Sequence, residues 1–492
     1  MNRLQETQSS PCKDTMKDCS KSKLTKIYPK STGNLKVPQS SHFRKDQAQS
    51  FDHEYVEKDL NEVSNLINQN SKVPKERWIA LALFCILSSS QCCIWNTWGP
   101  ITIPTMIAFS NWQKYHIALL SDWGCITYLT FCLPCCWFLY KKGLVAPIRM
   151  AAILSALAAF IRCFSCNETI FTITAHLAAI LNGLSGVIIG PATALVSAVW
   201  FPRGERTTAT GISSASNQFG MAVSYLIGPA VVGDIFHPKS SSNNNRIQTI
   251  LRVQIMSLMR IEFVIQSLIV VGIIAFFPNH PNAIDATDTS SHLSLIDSLL
   301  FLLKKKNMWQ LCLAAALSQG VTGPWLSMIT LTFDSMVTQE EADKLAFWTI
   351  IFGSVISLVA SRVADIFQNH LRIGLFVLLM ISVTMFLWVL LLENQILIFR
   401  KEELYAAVIF GVSASWSTPA LFLELASEIA FPVSEAIVGG YMIFLANLIG
   451  TLFYFSYFIP GIGDRWSTYC VFVNLAISTI LIFYLKEEYN RT

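Results

Sequence analysis

Charged side chains are scarce in this sequence. Asp, Glu, Lys and Arg together make up 14% of the 492 residues, whereas hydrophobic residues make up 53%. About a quarter of an ordinary soluble domain is charged, so that class is excluded. The net charge is small, +4. The basic residues sit in short loops between apolar runs, which argues against a nucleic-acid surface. Metal-site spacing is missing too. Thirteen cysteines are present, but Cys85, Cys92, Cys93, Cys125, Cys132 and Cys312 lie inside apolar runs, where a thiol serves as a small packing group. Cys163 and Cys166 form a C-x-x-C without a second pair of ligand spacing. No nucleophile–base set has usable spacing, so no enzyme is expected. No apolar core follows Met1, so no signal peptide is expected.

What the chain has instead is long apolar runs. A bilayer core of ~30 Å takes about 20 apolar residues per helix. Twelve runs qualify, near 78–98, 115–139, 146–166, 171–198, 208–233, 253–277, 308–333, 345–364, 373–392, 404–424, 436–457 and 467–485. The fold class expected is an all-α membrane protein of twelve helices. Residues 1–74, rich in Ser, Lys, Gln and Asn, read as a disordered cytosolic tail. A first half spans 75–277, a linker ending in Lys304-Lys305-Lys306 spans 278–307, a second half spans 308–486, and a short tail spans 487–492.

The two halves carry one repeated stretch. Phe201-Pro202-Arg203-Gly204-Glu205 runs on to Asn217 and Gly220, and Phe431-Pro432-Val433-Ser434-Glu435 runs on to Asn447 and Gly450. The offset is constant, since 431 − 201, 435 − 205, 447 − 217 and 450 − 220 all equal 230. Such a repeat in a hydrophobic chain is the mark of a transporter built from two related halves, with its site near the midplane between them. Basic residues near helix ends favour both termini on the cytosolic side. Asn167-Glu168-Thr169 then falls on the outer or lumenal side, where Asn167 can carry an N-glycan. In the tail, Glu62 followed by Leu66 and Ile67 has the acidic dileucine form that clathrin adaptors read in sorting to endosomes and lysosomes.

Two turns carry a resemblance. The turn after the second run reads Trp137-Phe138-Leu139-Tyr140-Lys141-Lys142-Gly143, and the turn after the eighth reads Ser361-Arg362-Val363-Ala364-Asp365, with Arg372 beyond. They resemble the two copies of the major facilitator signature, with Tyr140 where the first copy usually has Asp. The resemblance implies the major facilitator fold, two six-helix pseudo-repeat halves, and a cytosolic gate in which Asp365 caps a helix of the other half. Arg362, Arg372, Glu205 and Glu435 are the other gate candidates. The region Pro419 to Glu435, with Glu424, Glu428 and Phe431-Pro432, resembles solute carrier family 49, which includes the feline leukemia virus subgroup C receptors. Trp95-Asn96-Thr97-Trp98-Gly99-Pro100 and Arg260-Ile261-Glu262-Phe263 resemble most the lysosomal pyridoxine carriers of that family.

That resemblance implies a carrier of a small vitamin-like solute, pyridoxine above all, at the lysosomal membrane, working by alternating access with the proton as coupling ion and no other cofactor. Two other functions stay open. One is a plasma-membrane choline, ethanolamine or haem carrier; the other is a receptor or scaffold that transports nothing. The expected partners are the solute, the lipid bilayer and clathrin adaptors, with no nucleic acid, and the chain is expected to be a monomer.

The solute site is expected to use aromatic faces and amides. Trp95, Trp98 and Trp325 can hold a cationic or flat ring by cation–π attraction or stacking. Trp95 and Trp325 match positions where the family's choline carriers place aromatic residues. Asn217, Gln218 and Asn447 are amides inside apolar helices, costly unless they face a partner or a cavity, and Gln218 and Asn447 match the family's polar site positions. The intramembrane carboxylates Asp122, Glu262, Glu424 and Glu428 are the proton-coupling candidates, with His176 as a further titratable group.

Overall fold

A computed structural model describes residues 76–233, 244–279, 295–333, 336–366, 370–433, 435–459 and 465–486. The sorting-signal residues Glu62, Leu66 and Ile67 lie outside the described residues, as do the side chains of Tyr140, Asp365 and Glu435. The described helices belong to one compact unit.

The described residues cross the bundle twelve times. In the first half the crossings are α1 (Glu76–Trp95), continued after a break by the short α2 (Thr102–Ala108), then α3 (Lys114–Lys142), α4 (Val145–Ile161), α5 (Glu168–Trp200), α6 (Arg206–Val231) and α7 (Asn244–Phe276). A connecting helix α8 (Leu295–Lys304) follows, so the linker expected over 278–307 is partly helical. The second half comprises α9 (Lys306–Ser327) with its one-turn extension α10 (Ile329–Thr332), α11 (Gln339–Ile366), α12 (Leu371–Glu393), α13 (Lys401–Trp416) continued by α14 (Pro419–Ala430), α15 (Glu435–Phe455) and α16 (Trp466–Phe483).

Nine of the described crossings are long and apolar enough to span a membrane by themselves, counting α13 and α14 as one. The other three have physical reasons for falling short. Helix α4 has 17 residues. Helices α6 and α9 carry Asn217, Gln218 and Gln319, which line an internal cavity. The outer surface is apolar: on α7, Leu268, Val271 and Phe276 are exposed. In water such a surface would be costly; against acyl chains it is the expected one.

Breaks fall where the sequence removes backbone donors. Pro100 follows the turn in which the Gly99 N–H donates to the Asn96 carbonyl at 3.3 Å. Pro419 starts α14 at N1, where its missing N–H costs nothing. The Ser417 hydroxyl and the Thr418 hydroxyl satisfy the Ser413 and Ser415 carbonyls at that break. At the start of α5, Asn167 accepts hydrogen bonds from the Thr169 and Ile170 N–H groups, a side-chain cap of ordinary kind.

Within each half the same helices meet. Helix α1 packs on α6, and α9, the corresponding helix, packs on α15. The halves join along α6 with α11 and α3 with α15. The repeated glycines serve the first pair of contacts. A Cβ on Gly220 of α6 would overlap the Ser89 carbonyl of α1, and one on Gly450 of α15 would lie 3.2 Å from the Gly320 carbonyl of α9.

Candidate functional site

We call the end of the bundle where α1 begins the near face, and the opposite end the far face. Between the halves lies a cavity of about 390 Å³. Helices α1, α3, α5 and α6 of the first half and α9, α14 and α15 of the second line it. None of its lining residues, among those described, is Asp, Glu, Lys, Arg or His. Its polar character comes from amides, hydroxyls and two aromatic rings.

Trp95, at the end of α1, is half-buried on the cavity wall. Its indole N–H donates to the Ser121 carbonyl of α3 at 2.9 Å. The ring fits there because the facing residue is Gly124, where a Cβ would come within 2.8 Å of the indole nitrogen. Tyr128, one turn further along α3, lines the same wall. Gly183, Gly186 and Gly190 of α5 keep a third wall flat.

The amides divide into bound and free groups. Gln91 and Asn182 each donate to the other's backbone carbonyl at 3.2 Å. The Asn217 amide N–H donates to the Ser88 carbonyl and hydroxyl at 3.2 and 3.0 Å. The Asn447 amide donates to its own helix at Ile443. Gln218 reaches across the halves, its N–H donating to the Trp416 carbonyl at 3.2 Å. Its Oε1 and the Gln319 Nε2 have no hydrogen-bond partner, the Tyr128 hydroxyl lies by the Cys132 thiol and the Ser213 hydroxyl by the Cys85 thiol, and all four residues line the cavity. Buried polar atoms left unpaired cost ~1–3 kcal/mol each. A cavity whose lining residues hold an unpaired acceptor and an unpaired donor can take a ligand or water once those side chains turn toward it.

On the far side of this cavity the halves are in contact. The Tyr225 hydroxyl of α6 donates to the Leu326 carbonyl at 3.0 Å. The Gln339 side chain donates to the Pro100 carbonyl at 2.6 Å. The rings of Tyr115 and Phe458 stand 5.6 Å apart.

Among the expected solute contacts, Trp95, Gln218 and Asn447 come together on the wall and two tryptophans do not. Trp98 lies just past the break in α1, buried in an aromatic cluster with Trp112 and Phe171. Trp325 is fully buried. It packs edge-on against Phe333 and Phe386, and its indole donates to the Thr468 hydroxyl at 3.3 Å. Thr468 donates in turn to Glu393 at 2.8 Å. Its polar edge is thus turned into the second half.

The carboxylates differ in their surroundings. Glu262 is buried and committed, bonded to the Thr97 hydroxyl at 2.6 Å and paired with Arg162 at 2.8 Å. Glu424 and Glu428 sit half-buried and buried on α14, and both have interaction partners. Asp122 of α3 is fully buried, and neither of its oxygens has a hydrogen-bond partner. His176 accepts the Trp123 indole N–H at 2.9 Å. The C-x-x-C cysteines, Cys163 and Cys166, are both free thiols.

At the near face, Glu205 pairs with Arg77 of its own half at 2.8 Å. Arg372 donates to the Ile482 and Phe483 carbonyls at the end of α16, where a cation suits the helix's negative end. Both are engaged inside one half rather than across the gate. Arg362 is exposed. Asp365 and Glu435 close α11 and open α15 respectively.

Gln91, Tyr128 and Gln319 were missed by reasoning from the sequence. The signal was present, since Gln91 and Gln319 are amides inside apolar helices like Gln218. They lie outside the repeated stretch that drew attention to the others.

The profile of the Major Facilitator Superfamily matches residues 79–454. Solute carrier family 49 member 4 homolog of Xenopus laevis is 30% identical over 436 residues, covering 86% of this chain and 94% of that one. Choline/ethanolamine transporter FLVCR2 of Homo sapiens is 23% identical over 432 residues, covering 85% and 79%. Among solved structures, the transporter FucP in its outward conformation superposes with TM-score 0.60 at 16% identity over 84% of this chain and all of that one. A bacterial homolog of the lysosomal transporter Spinster, inward-facing and unoccupied, superposes with TM-score 0.60 at 13% identity over 85% of this chain and all of that one. The fold, the extent of the match and the relatives agree: this multi-pass membrane protein belongs to the major facilitator superfamily and, within it, to solute carrier family 49.

Proposed function

We propose that the protein moves a small, vitamin-like organic solute, pyridoxine or a close relative, across the lysosomal membrane by alternating access, linked to the proton gradient. Both termini face the cytosol in this reading, so the near face is cytosolic and the far face lumenal. One observation carries it: a cavity between the halves lined by Trp95, Tyr128 and the amides Gln218, Gln319 and Asn447, with no charged residue among the described lining residues. A flat, hydroxylated heteroaromatic ring matches such a wall by stacking and hydrogen bonding. The Glu62-Leu66-Ile67 pattern supports the lysosomal address, and the exposed Asn167 supports a lumenal glycan at the start of α5.

The test is uptake of labelled pyridoxine. Leu66→Ala with Ile67→Ala should place the protein at the cell surface, where an acidic medium should stimulate uptake over a neutral one. Trp95→Ala should remove it. Surface protein that takes up no pyridoxine in either medium would end this substrate assignment. A second reading has its own support. An aromatic face without a countercharge also suits a quaternary ammonium by cation–π attraction, and relatives named choline/ethanolamine transporters share the fold. Choline uptake insensitive to pH, by unmodified protein already at the surface, would favour it. Absence of both flux and solute-induced stabilisation would leave a receptor or scaffold.

A further inference from the structure

Of the four intramembrane carboxylates considered for proton coupling, three are engaged. Glu262 is held by Arg162 and Thr97, and Glu424 and Glu428 have partners. Asp122 differs. It is fully buried, and both its oxygens are without a hydrogen-bond partner. Across the α3–α15 contact it faces the Thr451 hydroxyl, which is near enough to donate to it, and it lies close to Tyr454. The Tyr454 hydroxyl bonds with Ser327 of α9 at 2.9 Å, on the far side of the cavity. The residue before Asp122, Ser121, supplies the carbonyl that anchors Trp95. Asp122 therefore stands where the two halves meet, between the solute cavity and the far-side contact, and is coupled through one residue to the aromatic wall.

An ionised carboxylate at this place would have no countercharge and only the Thr451 hydroxyl to donate to it, a costly state at membrane depth. Parting of α3 from α15 would admit water to it. We propose that Asp122 is the carrier's proton-binding site, taking a proton from the far compartment when the α3–α15 contact parts and allowing that contact to close again over the neutral acid. The proton adds to one carboxylate oxygen from water and leaves to water on the other side; no other bond changes.

Other titratable groups stand along its helix and on the elements packed against it. On its own helix these are Lys114, Tyr115, His116, Cys125 and Tyr128, with Cys132, Cys135, Cys136, Tyr140, Lys141 and Lys142 further along. The helices and turn packed against α3 add Glu168 and His176 of α5, Arg149 of α4, Glu435, Tyr441 and Tyr454 of α15, and Tyr457 of the turn that follows α15. Of these, His116 and His176 ordinarily titrate nearest neutral pH. Glu168 is tied to Arg252 at 3.0 Å. The assignment rests on the proton-linked reading above, so its test is chosen to be independent of the solute.

The experiment is hydrogen–deuterium exchange of the full chain in lipid nanodiscs, in acidic and neutral medium, corrected for the intrinsic pH dependence of exchange. Segments 114–125 and 446–458 are read in wild type, Asp122→Asn and Asp122→Glu. Wild type should lose protection there by about tenfold or more on going to neutral medium. Asp122→Asn should stay protected in both, and Asp122→Glu, which keeps a titratable group, should restore the response. A wild-type response that persists in Asp122→Asn, or a wild type with no response, overturns the proposal. Pyridoxine flux is measured in parallel: failure of wild type to move it ends the substrate assignment and leaves the exchange result to decide Asp122. If Asp122→Asn lowers solute affinity equally in both media while keeping the exchange response, the residue is a solute contact and the proposal falls.

Discussion

Trp95 and Trp325 stand at equivalent places in the two halves, since 325 − 95 is again 230, yet the halves use them differently. Trp95 is half-buried on the cavity wall, held by a backbone carbonyl of α3. Trp325 is fully enclosed, its ring edge-on to two phenylalanines and its N–H on Thr468. The same division recurs at the repeated amides. Asn217 ties α6 to α1, whereas Asn447 bonds within its own helix. The repeat thus preserves which helices meet and where the backbone allows them to approach. It does not preserve what each side chain faces. One half turns its tryptophan to the cavity; the other uses the same residue in its own packing.

The largest effect is expected where the two halves share a purpose but differ in clearance. Gly220→Ala places a methyl into the Ser89 carbonyl, backbone against backbone, with no flexible side chain to yield. Gly450→Ala places one at 3.2 Å from the Gly320 carbonyl, a tight fit that a small helix shift relieves. Overpacking a contact that can yield costs ~1–3 kcal/mol, the range for Gly450→Ala; an overlap with a fixed backbone carbonyl exceeds it. Gly220→Ala should abolish monodisperse protein on size exclusion, and Gly450→Ala should yield it with a modestly lowered melting temperature. Equal behaviour of the two would mean that α1–α6 and α9–α15 do not differ in closeness.

Next come the tryptophans. Trp325→Ala removes a fully buried ring and should cost about 3–5 kcal/mol of stability, read as a large fall in melting temperature with solute affinity unchanged in whatever protein remains folded. Trp95→Ala should do the reverse. Its loss is one aromatic contact with the solute, ~0.5–2 kcal/mol, so affinity falls several-fold to about thirtyfold with little change in melting. Swapped outcomes would place the solute in the second half. Glu262→Gln should match Trp325→Ala in size. Removing the charge leaves Arg162, 2% exposed, without its ion-pair partner, a loss of ~3–5 kcal/mol for a buried pair, read as melting temperature and without a change in the pH dependence of uptake.

Much of this arrangement was legible in the residues. Twelve apolar runs and a 230-residue offset suffice for the number of crossings and their two-fold organisation, because a bilayer demands long apolar helices and a repeat demands similar contacts. Amides in such helices pointed to the cavity or to a partner helix, the two places that offset their cost, and Asn217 finds both. The aromatic pair was only half legible. A tryptophan in an apolar helix reads the same whether it faces a cavity or a neighbouring helix, and the helix-to-helix angle that decides it depends on Gly124 beside Trp95 and on Phe333 and Phe386 around Trp325. The gate candidates were obscured for a related reason. Arg77 and the carbonyls at the end of α16, which engage Glu205 and Arg372, are near in space and carry no mark in the sequence.

The smallest effect sharpens the comparison most, because it sets two identical residues at equivalent places against each other. Asn217→Ala breaks two hydrogen bonds to Ser88, one to its carbonyl and one to its hydroxyl. Each is worth ~1 kcal/mol, but the Ser88 carbonyl still belongs to its helix and water in the cavity can replace the amide, so the net loss should be about 1 kcal/mol of stability. Asn447→Ala breaks only a bond to Ile443 within α15, and alanine is the better helix former, so melting should hold or rise slightly. Its cost should instead appear as a several-fold loss of solute affinity, because the Asn447 side chain lines the cavity and its carbonyl oxygen is an acceptor that alanine lacks. Melting curves with and without solute separate the two terms in one measurement: Asn217→Ala should shift both curves down together, and Asn447→Ala should leave the solute-free curve in place while shrinking the stabilisation that solute confers. A shared shift in both variants would mean that the second half, like the first, uses its amide to hold helices together, and that the division of labour read from the tryptophans stops at them.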